Sequence, residues 1–573
     1  MSKQKVSDII IEVLEQAGVQ RCYGIVGDTL NHVTDSMSKS SIEWIHVRHE
    51  EVGGFAAGTD ALLSGHLTAC AGSCGPGSLH FINGLYESHR NRAPVILIAS
   101  QISTEMAGFI DFPQYVDFKS VYEKNSVFCE EITQASQARH IMSMACQAAI
   151  NKRGVAVVIV PANISEASAE AGLPFVPRHA EPDILPNKAE LHQMVELISQ
   201  HQKIGIYAGA GCEGAHDQLV EFAEKLKAPI AHTSRAKDFV EYDNPYNMGM
   251  TGIFGNKAGY HTLMDCDLLI LLGADFAWAQ YYPSHAKILQ IDIDPTHLGR
   301  RHPITLGAVG KISSTLNALL PLLQTRQDRA FLDHCLELKH QSDEIRQKEE
   351  RVGKEGLIHP QYLVSLLNRY ADDDAIFFGD GGSPMVWVLR HVDVNGKRRT
   401  FTSLLHGTMA NAMPQALGAQ KAFPQRQIIA LCGDGGLAML LGDLLTTIQE
   451  KLPIKIVVFN NSSLNFVELE QKVEGLLDHY TDLLNPDFGK LASVIGLHGQ
   501  TVTHGDGLEQ AVENFLKHDG PALLDVHTNP MELVMPPDPN LNQVSSTSLY
   551  AIKALMSGRV DDVKNLLVNN FVK

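Results

Sequence analysis

The run Ile428-Ile429-Ala430-Leu431-Cys432-Gly433-Asp434-Gly435-Gly436 passes from apolar residues directly into a glycine turn. A continuous apolar run that delivers a tight turn reads as a strand buried on both faces of a parallel sheet. A helical pattern over Leu437 to Lys451, a strand pattern over Ile454 to Phe459 and the pair Asn460-Asn461 follow. Twenty-four residues intervene between Gly435 and Asn460, enough for one right-handed strand-helix-strand crossover, so both turns are expected at the same carboxyl edge. Glycines let backbone amides approach an anion, whereas the charge of Asp434 repels one. A divalent cation between them removes the conflict. An Asp carboxylate, an Asn carbonyl and a main-chain carbonyl form a hard oxygen set suited to Mg²⁺ holding a diphosphate.

The chain around this unit has 573 residues, room for three or four domains, with 44% apolar and 20% charged residues. Its 47 basic and 65 acidic side chains give a net charge of −18, which argues against nucleic acid as a partner. Nine scattered cysteines without a C-x-x-C pair, and an N-terminus without a long apolar run, predict a reduced cytoplasmic protein with no disulfide framework. No apolar stretch approaches bilayer length.

Residues 1–173 alternate helical and strand patterns, predicting an α/β fold with a doubly wound parallel sheet. Strand Ile42 to Val47 leads through Arg48-His49-Glu50-Glu51 into a Gly/Ala-rich helix, and Leu67 to Ala71 leads into Gly75-Pro76-Gly77. Glu50 reads either as an acid satisfying a helix dipole or as a carboxylate whose pKa and orientation are controlled at a strand end. The Gly-Pro-Gly turn alone fits a purely structural role equally well. Four prolines between Pro174 and Pro186 mark a linker, and residues 187–340 form a second α/β unit. Its Gly209-x-Gly211-x-x-Gly214 follows a strand, yet no acid stands about 20 positions on for a ribose, which disfavours NAD. A charged helical stretch from Gln341 to Lys354 leads to a third unit over 355–529.

Gly-Asp-Gly, a spacer of this length and Asn-Asn closely resemble the diphosphate motif of thiamin diphosphate enzymes. The resemblance covers essentially the whole chain and implies three doubly wound parallel-sheet domains: pyrimidine-binding (1–173), FAD-binding (187–340) and diphosphate-binding (355–529), with a C-terminal helical tail (530–573). It implies Asp434, Asn461 and the Ser463 carbonyl as Mg²⁺ ligands, with Gly435, Gly436, Ser462, Leu464 and Asn465 around the diphosphate. It makes Glu50, not Glu51, the residue that hydrogen-bonds N1′ of the aminopyrimidine and so promotes removal of the thiazolium C2 proton. Gly75 would lie at the pyrimidine end. His406, Gly407 and Thr408 would flank the cofactor and Met409 would hold it bent. Phe466, Val467 and Glu470 would border thiazolium and substrate. Relatives commonly read Phe-Gln-Glu near the substrate; this chain reads Phe112-Pro113-Gln114, so only Phe112 is carried over. Asn465 replaces a usual glycine and is expected to take that residue's left-handed turn.

The second unit resembles the central domain of flavin-containing thiamin enzymes, the pyruvate oxidases and acetolactate synthases. The match runs through three segments containing Thr251-Gly252-Ile253-Phe254-Gly255, Asp275-Phe276 and Asp292-Ile293-Asp294-Pro295. With Gly209 and Gly211 these are the expected FAD contacts. Val560, Val563, Leu567 and Phe571 give the tail a narrow apolar stripe, which resembles the interfacial helix of quinone-reducing pyruvate oxidases. A helix docked on its own protein gives the same pattern. The resemblance implies oxidative decarboxylation of pyruvate to acetate and CO₂, with thiamin diphosphate, Mg²⁺ and FAD as cofactors. It further implies ubiquinone as acceptor, peripheral lipid contact at the inner face of the cell membrane, and a homo-oligomer, at least a dimer and as a full assembly a tetramer. An acetolactate synthase, a phosphate-dependent oxidase and a non-catalytic regulatory protein are the competing readings.

Overall fold

A computed structural model describes residues 3–107, 111–170, 172–530 and 532, and in it the chain builds three six-stranded, all-parallel sheets. The first runs Glu43–His46, Arg21–Gly24, Thr68–Gly72, Val95–Gln101, Val155–Pro161, Phe128–Glu131. The second runs Asn247–Met250, Ile230–His232, Ile204–Ala208, Leu268–Leu272, Lys287–Asp292, Leu306–Val309. The third runs Arg399–Thr402, Ile376–Gly379, Ile428–Gly433, Lys455–Asn460, Ala522–His527, His498–Val502. Central strands such as Val95–Gln101 and Lys455–Asn460 are buried at every residue, their apolar centres as a two-sided parallel sheet requires and their polar ends with them. Outside these sheets, Lys3–Lys5 pairs antiparallel with Ser168–Glu170 and closes the first unit. The C-terminal stripe lies outside the described residues, among which no helix is long and apolar enough to cross a membrane.

Small residues decide how the first and third sheets meet. Helix Glu50–Ser64 packs against helix Ala412–Ala422 so closely that a Cβ on Gly418 would stand 2.0 Å from the Ala56 carbonyl oxygen. A Cβ on Gly58 would meet Ser88 Oγ at 2.0 Å. A Gly/Ala-rich helix therefore serves as a wedge that bulkier residues would push out, and its first residue is Glu50. The central unit is tied to the third by Asp238, buried, which accepts from Thr400 Oγ1 at 2.6 Å and Arg399 Nε at 3.1 Å.

Two local expectations change. The helical pattern over 437–451 is broken into Asp434–Met439, a 3₁₀ turn Leu441–Asp443 and Leu444–Gln449. The break serves a long-range contact, since Asp443 Oδ1 accepts the Arg48 amide at 2.8 Å, next to Glu50's helix. The charged stretch before the third unit is the end of a longer helix, Ala330–Glu349, whose Leu332, Cys335 and Leu338 are buried in the central core.

Candidate active site

The strand Ile428–Gly433 hands Asp434 to a short helix as its first residue. Asp434 is buried; its Oδ2 accepts the Ser462 amide at 2.7 Å and Asn485 Nδ2 at 2.8 Å, and its Oδ1 accepts the Gly435 amide at 2.9 Å. These partners are neutral, and burial pushes the carboxyl above its ordinary pKa despite them. A cation there would offset that cost, so the site fits Mg²⁺. Of the asparagine pair, Asn460 donates from Nδ2 to Asp525 Oδ1 at 3.0 Å, and its Oδ1 accepts at 3.1 Å from Asn485 Nδ2, the amide that also meets Asp434. Asn461 Oδ1 accepts the Ser463 amide at 3.1 Å and Asp434 Oδ2 accepts the amide of the intervening Ser462, so Asp434, Asn461 and Ser463 belong to one loop junction. Among the described residues no cluster of three His, Cys, Asp or Glu could hold a metal, so a metal here would draw on amide and main-chain oxygens.

The left-handed residue of this elbow is Ser462, at φ 54°, and not Asn465. Asn465 instead opens the helix Asn465–Val473, buried, with Ser383 Oγ donating to its Oδ1 at 3.1 Å and its own Nδ2 donating to the Pro530 carbonyl at 2.6 Å. The side-chain amide accounts for the absence of glycine. Within that helix Phe466 is half-buried and turns toward Phe254, while Val467 is 43% exposed and Glu470 is exposed. Burial, then the charge of Glu474, raises the Glu470 carboxyl.

Met409 reaches the same junction. A Cβ on Gly435 would lie 3.0 Å from Leu464 Cδ2 and 3.4 Å from Met409 Cε, so Met409 and Leu464 make an apolar floor beside the Gly-Asp-Gly turn. Gly436 is demanded by Asp380, whose Oδ2 would stand 2.2 Å from an added Cβ. Upstream, His406 Nε2 lies 2.7 Å from Asn83 Oδ1, and Asn83 Nδ2 donates to Thr408 Oγ1 at 3.2 Å and to Glu51 Oε1 at 2.7 Å. Gly407, at φ 76°, makes the bend between them. Asn83 thus ties the first sheet unit to the 406–409 loop and engages Glu51 in doing so.

Glu50 is free of that bond. It begins its helix, only 8% exposed, with Oε2 3.0 Å from His80 Nδ1. A Cβ on Gly77 would stand 3.5 Å from Glu50 Oε1, and Gly75 holds φ 63°, so the Gly-Pro-Gly turn lies against this carboxylate. Within 112–114, Phe112 is half-buried, and it is Gln114 that meets the turn: Cys74 Sγ donates to Gln114 Oε1 at 3.3 Å, and Gln114 Cβ is 3.0 Å from where a Gly75 Cβ would be. His80, Asn83, Gln114 and Asn485 were not singled out by sequence. Only Gln114 sat in a segment whose pattern drew attention.

In the central unit, Gly209 and Gly211 are explained by close packing. Added Cβ atoms would stand 2.1 Å from the Gly273 carbonyl oxygen and 2.7 Å from Gly273 Cα, and their amides donate to Leu272 and Gly273 carbonyls at 2.9 and 3.1 Å. The 251–255 and 275–276 segments converge, since a Cβ on Gly252 would meet Phe276 Cζ at 2.6 Å. Thr251 Oγ1 is buried without a hydrogen-bond partner among the described residues, Ile253 is exposed, and Trp278 stands beside Phe276 with centroids 5.1 Å apart. An orphaned hydroxyl next to exposed apolar and aromatic groups fits a flavin. The acids are already engaged. Burial alone would raise the Asp275 carboxyl, but Arg300 and Arg301 hold it at about 2. Asp292 Oδ1 lies 3.1 Å from His297 Nδ1, Asp294 caps the turn Pro295–His297 through the Thr296 amide at 2.9 Å, and Ile293 between them is exposed.

Three family matches follow the same order along the chain: the thiamine pyrophosphate enzyme N-terminal TPP binding domain over residues 4–121, the central domain over 191–319 and the C-terminal TPP binding domain over 380–526. The chain is 34% identical over 570 residues to a Bacillus subtilis protein provisionally named thiamine pyrophosphate-containing protein YdaP, covering 99% of each. It is 30% identical over 505 residues to a pyruvate oxidase of Lactiplantibacillus plantarum, covering 86% of this chain and 82% of that one. It is also 30% identical over 543 residues to the acetolactate synthase isozyme 2 large subunit of Escherichia coli K12, covering 92% and 96%.

Proposed function

Because the chain belongs to the thiamine pyrophosphate enzyme family, we propose that it oxidatively decarboxylates pyruvate to acetate and CO₂ and passes the electrons through FAD to ubiquinone. The balance is pyruvate, water and ubiquinone giving acetate, CO₂ and ubiquinol. Thiamin diphosphate, when bound, would supply the carbon nucleophile and electron sink for decarboxylation, and FAD a two-electron acceptor. Asp434, Asn461 and the Ser463 carbonyl are the residues that would hold Mg²⁺ beside the Gly-Asp-Gly turn. Glu50, oriented by His80, exchanges a proton with the aminopyrimidine ring nitrogen. Met409 and Leu464 support the cofactor, and Val467 and Glu470 face the substrate.

The observation that carries an oxidase reading is the approach of Phe254 to Phe466, ring centroids 6.2 Å apart, since it sets the candidate flavin loop against the candidate thiazolium helix. Identity alone favours neither activity, being 30% to both the pyruvate oxidase and the acetolactate synthase. Exposed apolar side chains on the third unit, among them Met439, Tyr480, Leu484 and Val494, support assembly into a dimer and then a tetramer. Peripheral attachment to the inner face of the cell membrane through 530–573 completes the proposal. A visible spectrum before and after anaerobic pyruvate tests it. Flavin bleaching that requires thiamin diphosphate and Mg²⁺ is expected; acetolactate formed without bleaching would overturn it in favour of carboligation.

A further inference from the structure

Helix Ser383–His391 touches both candidate sites. At its start Ser383 Oγ donates to Asn465 Oδ1 at 3.1 Å, on the thiamin side. Along its length Met385 and Leu389 are buried with Met250, and Phe254 packs against the same cluster. At its end Arg390 Nε donates to the Phe254 carbonyl at 2.9 Å and Nη2 to the Gly255 carbonyl at 3.4 Å. Burial pulls the guanidinium down to about 10, so it remains a cation at neutral pH.

Two successive carbonyls gripped by one planar fork fix the direction of a loop as well as its distance, which a single ammonium on a flexible stem does not do. The loop held in this way presents Phe254 to Phe466. The Phe466 helix has its own anchors in Ser383 and in the Pro530 carbonyl, so it does not depend on Arg390. We infer that Arg390 is a positioning residue: its forked grip on the Phe254 and Gly255 carbonyls seats the flavin-side loop of the central unit against the thiamin-side helix and thereby sets electron transfer between the two cofactors. The electron-transfer half of this inference rests on the proposed oxidase function; the seating of the loop does not.

The test uses the full chain with Arg390→Lys and Arg390→Met. In cofactor-free protein, amide hydrogen exchange over 251–256 is expected to rise at least ~10-fold in both variants, reporting local opening of the loop. In the holoenzyme under anaerobic pyruvate, flavin bleaching is expected to slow at least ~10-fold while CO₂ release per thiamin site stays within about 2-fold, a split that a merely destabilised protein would not give. Unchanged exchange at 251–256, or bleaching and CO₂ release falling in parallel, would overturn the inference. Recovery of both readouts by the lysine variant would refute the forked grip in favour of charge alone. A parent protein that pyruvate does not bleach would sink the oxidase proposal, and the exchange result would still decide whether Arg390 seats the loop.

Discussion

Glu50 Oε2 stands 3.0 Å from His80 Nδ1, and the two rings of His49 and His80 stack at 4.8 Å around that contact. The carboxylate is held in place by a neighbouring imidazole, while the adjacent Glu51 is spent on Asn83. Glu50→Gln keeps the size of the side chain and removes only the group proposed to exchange the proton. Pyruvate-dependent bleaching should fall at least ~100-fold, the low end of what general acid–base groups contribute. Affinity for thiamin diphosphate, measured by fluorescence titration, should stay within the same order. An unaffected bleaching rate would remove Glu50 from the mechanism.

Asn485 donates to Asp434 at 2.8 Å and to Asn460 at 3.1 Å, so it fixes the orientation of the proposed metal-binding carboxylate without being a ligand itself. Loss of such an outer partner typically costs about 10- to 100-fold in metal affinity. Asn485→Ala should therefore weaken Mg²⁺-dependent retention of thiamin diphosphate by roughly that factor, read by calorimetry at fixed cofactor while Mg²⁺ is varied. Equal affinities for parent and variant would show that Asp434 needs no such support.

The three sheets were legible because their strands are unbroken apolar runs such as Val155–Pro161, buried at every residue. The Asp434 and Asn461 loops were legible too, because a crossover of fixed length forces two strand ends to one edge. What escaped were contacts between residues remote in sequence. His80, Asn83 and Asn485 are polar residues with no periodicity, and their roles exist only once the 76–90 segment and the 476–487 loop have been brought to the site. The broken helix after Asp434 belongs to the same class, because Asp443 answers an amide on Arg48. Asn465 misled for a different reason: its tolerance of positive φ suggested a turn, whereas its side-chain amide is what the site uses.

The glycines at 209 and 211 give a prediction that separates packing from cofactor contact. Each Cβ would be driven into the backbone at Gly273, which no rotamer can relieve. Gly209→Ala should destabilise the central unit by about 1–3 kcal/mol, with flavin lost only as the unit unfolds. The check is flavin release and far-ultraviolet circular dichroism followed on one thermal ramp. Flavin lost from a variant of unchanged thermal stability would mean that Gly209 touches the cofactor.

Asp380 follows strand Ile376–Gly379 and is buried beside strand Ile428–Gly433, with Oδ1 accepting the Ala412 amide at 2.9 Å and Oδ2 the Gly433 amide at 3.3 Å. Burial outweighs these bonds and pushes its carboxyl up to about 7. In the unfolded chain the same group titrates near ~3.9. Between those values the folded state binds more protons than the unfolded one, so this group's contribution is greatest at the acid end and is lost as pH rises through the folded value. The full span is on the order of 4 kcal/mol. Asp380→Asn cannot ionise, so it should gain stability relative to the parent as pH rises from 5 to 8, seen as a growing difference between their urea midpoints. Midpoints that stay a constant distance apart over that range would mean that Asp380 has the same charge folded and unfolded.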